Sequence, residues 1–442
     1  MGKNLWSTGL SLFHRGKEIS PLSTPERQAY TKAMTASQNT PAASRHAITF
    51  VFITVLLDMV GFGLIMPVLP KLIESVGHMS LGDAALVSGW MFFAFSLAQF
   101  LFGPTMGNLS DAFGRRPLLL IAVAGLFIDY MIMSLAPSIT WLYVGRALAG
   151  LLGSSYVIAN AYIADVTAPE NRAKAFGMMG AAFGLGFVIG PAIGGMIGEF
   201  GERLPFQVAA GVSAINFVYG YFVLPETLPP EKRRAFDWRR SNPLGTFKVF
   251  SSYPGVLPLC VVMFIYFFAT SVYPAIWPFW GMAKFGWTEW LVGMSLAAFG
   301  VVAAVFQGGL SGPAVKRFGE HNTALIGMIS ATLVLFAYGS APGFLFVMIL
   351  FVLHGPEGFI HPMLSAIMSK AVAENAQGEL QGGISSIMNI AMLTGNVFFA
   401  QLFGHFMSPG AMIVSPDIPF YTAGVIMVAA LLLFLRVDHV KT

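Results

Sequence analysis

Hydrophobic side chains make up 56% of the 442 residues and Asp, Glu, Lys and Arg only 10%, with a net charge of +4 and a mean hydropathy of +0.70. Soluble domains carry roughly 25% charged residues, so this chain excludes a soluble globule and must turn apolar surface to lipid. A solitary cysteine, Cys260, supports neither a disulfide framework nor a cysteine metal cluster and reads as packing.

Residues 1-46 are a polar extension with Lys3, Arg15, Lys17, Arg27, Lys32 and Arg45. No apolar core of about 7–15 residues interrupts it, so it is not a secretory signal. It reads as a cytoplasmic tail. Two alternatives are that Leu5, Trp6, Leu10, Leu12 and Phe13 form a short helix on the membrane surface, and that Met34 is the true start. Apolar runs follow near 47-72, 82-104, 117-137, 139-164, 173-199, 204-224, 254-280, 290-312, 321-341, 343-369, 379-406 and 418-436. Each is long enough to cross ~30 Å of hydrocarbon as a helix. The expected fold is all-α and integral to the membrane, with twelve transmembrane helices in two pseudo-symmetric six-helix halves, 47-224 and 254-442, joined by a linker at 225-253. With a cytoplasmic N-terminus, every Lys and Arg except Lys71, Arg146, Arg203 and Lys284 falls on the cytoplasmic side, which orients the chain with both termini inside.

In the first run, LLDMVGFGLIMPVLP places Asp58 ~16 Å into the membrane. A carboxylate near the midplane is a functional candidate, with a hydrogen bond to a neighbouring helix as the plainer reading. Between the second and third runs, GNLSDAFGRRP packs charge into what reads as a tight loop. Its order of Gly107, Asp111, Gly114, Arg115 and Arg116 resembles the cytoplasmic loop signature of the major facilitator superfamily. A second copy stands 205 residues on, where Gly312, Phe318 and Gly319 repeat Gly107, Phe113 and Gly114, while Lys316 and Glu320 reverse the charges of Asp111 and Arg115. This is expected of a duplicated chain. The first-run phrase, the polar insertion at Asp129 and YVGRALAG in the fourth run are similar to tetracycline/proton antiporters.

Asp129 and Arg146 each lie ~12 Å from the outer surface on antiparallel helices, so they are expected to pair, as a static tie or in a proton-linked role. Asp165, ending the fourth run, should reach Asp111 and Arg115; the resemblance makes that cluster an inner gate, with Asp111 approaching the start of the eleventh helix near Gly378. In the fifth run Gly186, Gly190, Pro191 and Gly194 give a smooth face for close helix approach, to which Gly180 and Gly184 add. The string GFVIGPAIGG resembles the exporter signature of the superfamily and favours antiport. The basic linker PETLPPEKRRAFDWRRSNPLG is explained by topology or anionic lipid and not by nucleic acid.

In the second half, the acid and the histidine that tetracycline antiporters carry in the ninth and eighth helices fall here on Ala331 or Thr332 and on Ala303. The tenth run instead reads LHGPEGFIHPM, with His354, Glu357 and His361 at i, i+3 and i+7 on one helical face, ~17–21 Å deep. No metal is expected, because His354 and His361 stand ~10 Å apart along the axis. Proton exchange suits them better, and hydrogen bonds to carbonyls freed by Pro356 and Pro362 are the plainer reading. Trp277, Phe279, Trp280, Phe285, Trp287 and Trp290 read as an interfacial belt, from which Trp277, or nearby Tyr273, could stack on a flat substrate.

With no phosphate-binding GxxxxGK[ST], an ion gradient is the expected energy source. The expectation is a secondary transporter in a bacterial inner membrane, not an enzyme. It would work as a monomer without cofactor, exporting a small amphipathic compound or drug in exchange for H+. Alternatives are a proton-coupled uptake symporter and a non-transporting sensor or lipid-handling protein; the acids at 58, 111, 129 and 357 argue against the last.

Overall fold

The computed structural model describes residues 41–153, 155–168, 171–237, 250, 253–373 and 376–437. The chain separates into two units, 1–46 and 47–442. Residues 1–40 of the expected tail, with its surface helix, and linker residues 238–249 lie outside the described residues, whereas tail residues 41–46 are helical.

Among the described residues, eleven helical runs are long and apolar enough to cross a membrane. One of them, Glu289–Gly339, has 51 residues, ~76 Å of helix and more than twice the hydrocarbon thickness. It turns at Gly319, whose φ of 75° and ψ of 169° leave the helical region. The described residues therefore make twelve crossings. The first six are Pro41–Ile65, Leu81–Phe113, Arg115–Leu135, Ile139–Leu152 continued by Ser155–Val166, Arg172–Gly198 and Leu204–Val223. The second six are Leu257–Thr270 continued by Val272–Phe285, then the two parts of Glu289–Gly339, Phe344–His354 continued by Ile360–Lys370, Gln377–Met407 and Ile418–Arg436. Large apolar side chains such as Ile215, Phe222 and Leu345 stand exposed on their outer faces, as lipid-facing helices require.

The stretch from Gly107 to Pro117 is not a loop. Helix continues to Phe113 and resumes at Arg115, leaving Gly114 alone to turn the chain with φ 108° and ψ 157°. Only glycine enters this region cheaply, and Pro117 is harmless because the first turn of a helix has no partner for its N–H. The second copy turns in the same way at Gly319. The repeat extends to an ion pair: Arg115 Nε meets Asp165 at 3.0 Å and Lys370 Nζ meets Glu320 at 2.8 Å, each across 50 residues, with signs reversed.

Several crossings are interrupted within the membrane. The fourth breaks after Leu152, where Gly153 carries non-helical angles. The eighth contains a π-helical turn at Val305–Leu310. The tenth tightens to a 3-10 turn at Gly355–Phe359 around Pro356, which cannot supply a backbone N–H.

The two six-helix groups touch at the end opposite Gly114. There Gly82 lies against Met407 and Gly89 against Ala400, bringing the second and eleventh crossings together; Gly195 lies against Glu289 and Gly293 against Pro191, bringing the fifth and eighth together. At the Gly114 end, Gly177, Gly180, Gly184, Gly308, Gly309 and Gly378 have nothing within 4 Å of an added Cβ. Among the described residues of 47–442, the glycines thus mediate close contact between the two groups at the far end and none at the Gly114 end. In this arrangement Gly186, Gly190 and Gly194 do receive a helix, the first crossing at Met59, Gly63 and Leu64, but Gly180 and Gly184 do not join that face.

Four of the six residues of the expected aromatic belt are core instead, while Phe285 is partly buried and Trp290 is exposed. Trp277, Phe279, Trp280 and Trp287 are buried, with Trp277, Trp280 and Trp287 within 6.1 Å of one another by ring centroid. Both Trp280 Nε1 and Lys284 Nζ donate to Asp417 at 2.8 Å, tying the seventh and twelfth crossings. Cys260 is buried, its sulfur 3.8 Å from that of Met368, as packing predicts.

Candidate functional site

Glu357 sits on the 3-10 turn of the tenth crossing and is only 7% exposed. His354 Nε2 lies 3.1 Å from its Oε2, and Tyr273 of the seventh crossing donates to the same oxygen at 3.2 Å. On the other side of the imidazole, Nδ1 is 2.9 Å from Tyr338 Oη of the ninth crossing. The direction of the Tyr338–His354 bond follows the tautomer: a neutral imidazole that donates from Nε2 to the Glu357 carboxylate accepts from Tyr338 at Nδ1. The result is a hydrogen-bonded chain Tyr338–His354–Glu357–Tyr273 joining three crossings. Phe299 closes it, with its ring 4.6 Å from that of His354.

His361 is not part of this chain. Its side chain is exposed and its ring stands 5.6 Å from Phe267. A 3-10 turn advances about 120° per residue against 100° in an α-helix, so five such residues rotate the later face away. The carbonyl of Leu353, next to the tightened turn, is taken by Ser330 of the ninth crossing; neither histidine needs to satisfy it. Trp277, offered as a stacking surface, is buried and donates to Ser295 at 2.9 Å.

In the first half, Asp129 and Arg146 form the expected buried ion pair, Nη2 to Oδ2, with the guanidinium over the ring of Phe95. Gly145 lets Asp129 approach the fourth crossing. Asp58 is 4% exposed and is held by a partner the sequence did not suggest: Asn216 Nδ2 of the sixth crossing donates to its Oδ1 at 3.2 Å and to Thr54 O at 3.4 Å. Ser155 of the fourth crossing also hydrogen-bonds to Asp58. Asp58 therefore faces the interior of the first group. A buried amide late in an apolar run was the available signal.

At the Gly114 end, Arg115 meets Asp111 at 2.5 Å, Asp165 at 3.0 Å and Ser110 Oγ at 2.6 Å. Among the described residues the expected approach of Asp111 to the start of the eleventh crossing is not made: Asp111 pairs with Arg115, and nothing lies within 4 Å of a Cβ added at Gly378. Glu226, in the first turn of the linker, was missed. Its carboxylate accepts from the backbone N–H groups of Arg115 and Arg116 at 2.9 and 3.3 Å, where the third crossing presents the positive end of its dipole. The linker runs on over the same place, with Arg234 N donating to Asp111 O at 3.1 Å and Asn108 Nδ2 to Asp237 O at 2.7 Å.

Among the described residues no group of three or more His, Cys, Asp or Glu is disposed to hold a metal. What the fold offers is twelve crossings in two groups that meet at one end, with ionisable groups buried at membrane depth in each: the class is a multi-pass membrane transport protein. The chain belongs to the Major Facilitator Superfamily, which it matches over residues 51–396 and 259–442. It is 37% identical to the class C tetracycline resistance protein of Escherichia coli over 362 residues, 81% of this chain and 90% of that protein. It is 28% identical to multidrug resistance protein 2 of Bacillus subtilis (strain 168), covering 85% and 91%. The fold is shared with the crystal structure of the human organic anion transporter MFSD10 (TETRAN), at a TM-score of 0.66 and 22% identity over 88% of this chain and 99% of that one. The protein is a secondary transporter and not an enzyme.

Proposed function

We propose that this transporter exports an amphipathic drug-like compound in exchange for protons, across a bacterial inner membrane and with both termini on the cytoplasmic side. The observation that carries the reading is the buried chain Tyr338–His354–Glu357–Tyr273. It supplies a carboxyl group that can hold a proton in one facing state and lose it in another, beside an imidazole and two phenols that can relay it. Asp58 and the Asp129–Arg146 pair are the corresponding elements of the first half. Asp111, Arg115 and Asp165, with Gly107, Gly114 and Arg116, hold the gate at the cytoplasmic end. Similarity to tetracycline and multidrug resistance proteins supports export of drugs. The absence of an acid at Ala331 or Thr332 leaves Glu357 as the coupling acid of the second half.

The protein acts as a monomer, takes a small molecule and membrane lipid as its only partners, and needs no cofactor beyond the coupling H+. The test is made in proteoliposomes with an imposed pH gradient and a panel of labelled drugs. Substrate uptake into inverted vesicles should collapse on addition of an uncoupler and be accompanied by proton release. Transport that ignores both gradient and uncoupler rejects proton coupling.

A further inference from the structure

Two irregular turns inside the membrane lie directly against each other. One is the π-helical turn Val305–Leu310 of the eighth crossing, the only π-helical segment among the described residues. The other is the 3-10 turn Gly355–Phe359 of the tenth, which carries Glu357. The ring of Phe306 occupies the place where a side chain on Gly355 would begin, and Gln307 Cγ comes within 2.7 Å of where one on Gly358 would. Phe306 also meets Phe359 at 5.9 Å between ring centroids. Two consecutive residues of the π-turn therefore hold the 3-10 turn at both of its ends.

The sequence VFQGGLS gives the reason the eighth crossing widens here. Gly308 and Gly309 weaken an α-helix through their backbone freedom, and nothing lies within 4 Å of a Cβ added at either, so close packing does not call for them. Ser311 Oγ donates to Gln307 O at 2.7 Å, a back-bond that bends helices. Single π-turns are rare and are found mostly at functional sites. What the neighbouring 3-10 turn accomplishes is visible in the hydrogen-bonded chain. Residues i and i+3 eclipse one another in a 3-10 helix but stand ~60° apart in an α-helix. His354 and Glu357 are such a pair, with Nε2 and Oε2 3.1 Å apart. Pro356 lacks an N–H and permits the tightening; the contact from the eighth crossing opposes a return to α-helix. Phe299, seven residues before Phe306 and on the same helical face, covers His354, so one side of the eighth crossing supports both members of the pair.

We propose that the π-turn positions the coupling acid. Phe306 and Gln307 are positioning residues that keep Gly355–Phe359 overwound and so hold Glu357 on His354 and Tyr273. This rests on the reading of Glu357 as the coupling acid and deepens it by naming what keeps the proton site in shape. The two turns form a pair, one underwound and one overwound. Loss of the π-turn lets the 3-10 turn relax, swings Glu357 away from His354 by ~60° and breaks the chain at that link.

The test is infrared difference spectroscopy of the full-length transporter in liposomes, recorded between acid and alkaline pH with no substrate present. The carboxyl band that Glu357→Gln abolishes belongs to Glu357, and its C=O stretch moves to higher wavenumber when hydrogen bonds to it are lost. Deleting Gly309 removes the extra residue that a π-turn holds over an α-turn and leaves the faces before and after it aligned. Gly355→Ala acts from the other side, by expelling the Phe306 ring. Each should shift the Glu357 band to higher wavenumber. Adding Phe306→Ala to Gly355→Ala clears space for the new methyl group and should bring the band back toward its original position, which a general loosening of the fold would not do. The deletion and the substitution act independently, so either decides if the other fails to fold. A band that stays in place in the deletion variant, or that shifts in Gly355→Ala and is not brought back by Phe306→Ala, overturns the positioning role and leaves Glu357 as the coupling acid. Absence of any Glu357-dependent band in the unaltered protein is a different failure, which removes the coupling acid and the positioning role together.

Discussion

At the scale of single residues, the two buried acid sites differ in what they ask of a mutation. Glu357 is already in hydrogen-bond contact with His354 and Tyr273, so Glu357→Gln keeps the shape and removes only the ionisable proton. Substrate binding should survive and substrate-driven proton release should be abolished, as pH-sensitive dye in proteoliposomes will record; retained release at normal stoichiometry makes Glu357 structural and moves the proton to Asp58 or Asp129. The Asp129–Arg146 pair calls for a different experiment, because removing one partner leaves a buried charge. Arg146→Ala should cost about 3–5 kcal/mol of stability, whereas the volume-conserving double variant Asp129→Leu with Arg146→Met should be near neutral. Thermal unfolding gives the stabilities. Transport by the double variant then decides between a tie and a working pair, since a static tie predicts normal turnover. His361 illustrates how a sequence pattern misleads at this scale: i, i+3 and i+7 share a face only if the helix stays α, and Gly355–Phe359 does not.

Among the elements, the turns at Gly114 and Gly319 are the same device in two settings. Both combine positive φ with ψ of 157° and 169°, a region essentially reserved to glycine that costs another residue roughly 1–3 kcal/mol. Only Gly114 is also covered, by the Glu226 carboxylate, while Gly319 has nothing within 4 Å. Gly114→Ala should therefore lower the melting temperature more than Gly319→Ala, and Glu226→Ala should narrow the gap; equal losses at the two glycines refute the covering role of the linker. Asp111→Asn should insert normally and slow transport strongly, because it removes one of the two carboxylates that hold Arg115 and the charge that would meet the eleventh crossing when this end closes. Normal turnover would release Asp111 from the gate. Lys316 and Glu320 carry the opposite signs and should tolerate exchange better.

The whole molecule is caught closed at the end away from Gly114, and that closure has a titratable rim. Glu74 lies beside Glu289 from the other group, with Lys71, Glu199 and Glu202 around the same bowl. Partial burial raises the Glu74 carboxyl above its usual value of 4.5; Glu289 adds to the rise and Lys71 opposes it. A raised acid favours its neutral form, so its contribution to the closed arrangement is complete below the ordinary value and is lost as pH rises through the raised one. Raising pH should thus favour opening of this end. Spin-label distances between the facing ends of the second and eleventh crossings should lengthen with pH, and Glu74→Gln should flatten the response. A distance that shortens with pH contradicts the sign.

Composition and the spacing of apolar runs were sufficient for twelve crossings, because the length needed to span hydrocarbon is written locally in the chain. The 205-residue repeat likewise marked a second copy of the Gly107–Pro117 pattern in the sequence, but that Gly114 and Gly319 alone make the two turns was seen only in the structure. The pairing of Asp129 with Arg146 was legible from depth alone, two antiparallel helices leaving little choice of partner. Other features depended on distances across crossings and had no local trace. Asn216 as the partner of Asp58, Glu226 on the start of the third crossing, Trp277 and Trp280 as core instead of belt, and the seating of Phe306 on Gly355 all arise where separate segments meet. Which end is closed was decided only in three dimensions as well, because Gly82, Gly89, Gly195 and Gly293 permit close approach but the sequence does not say when the approach is made.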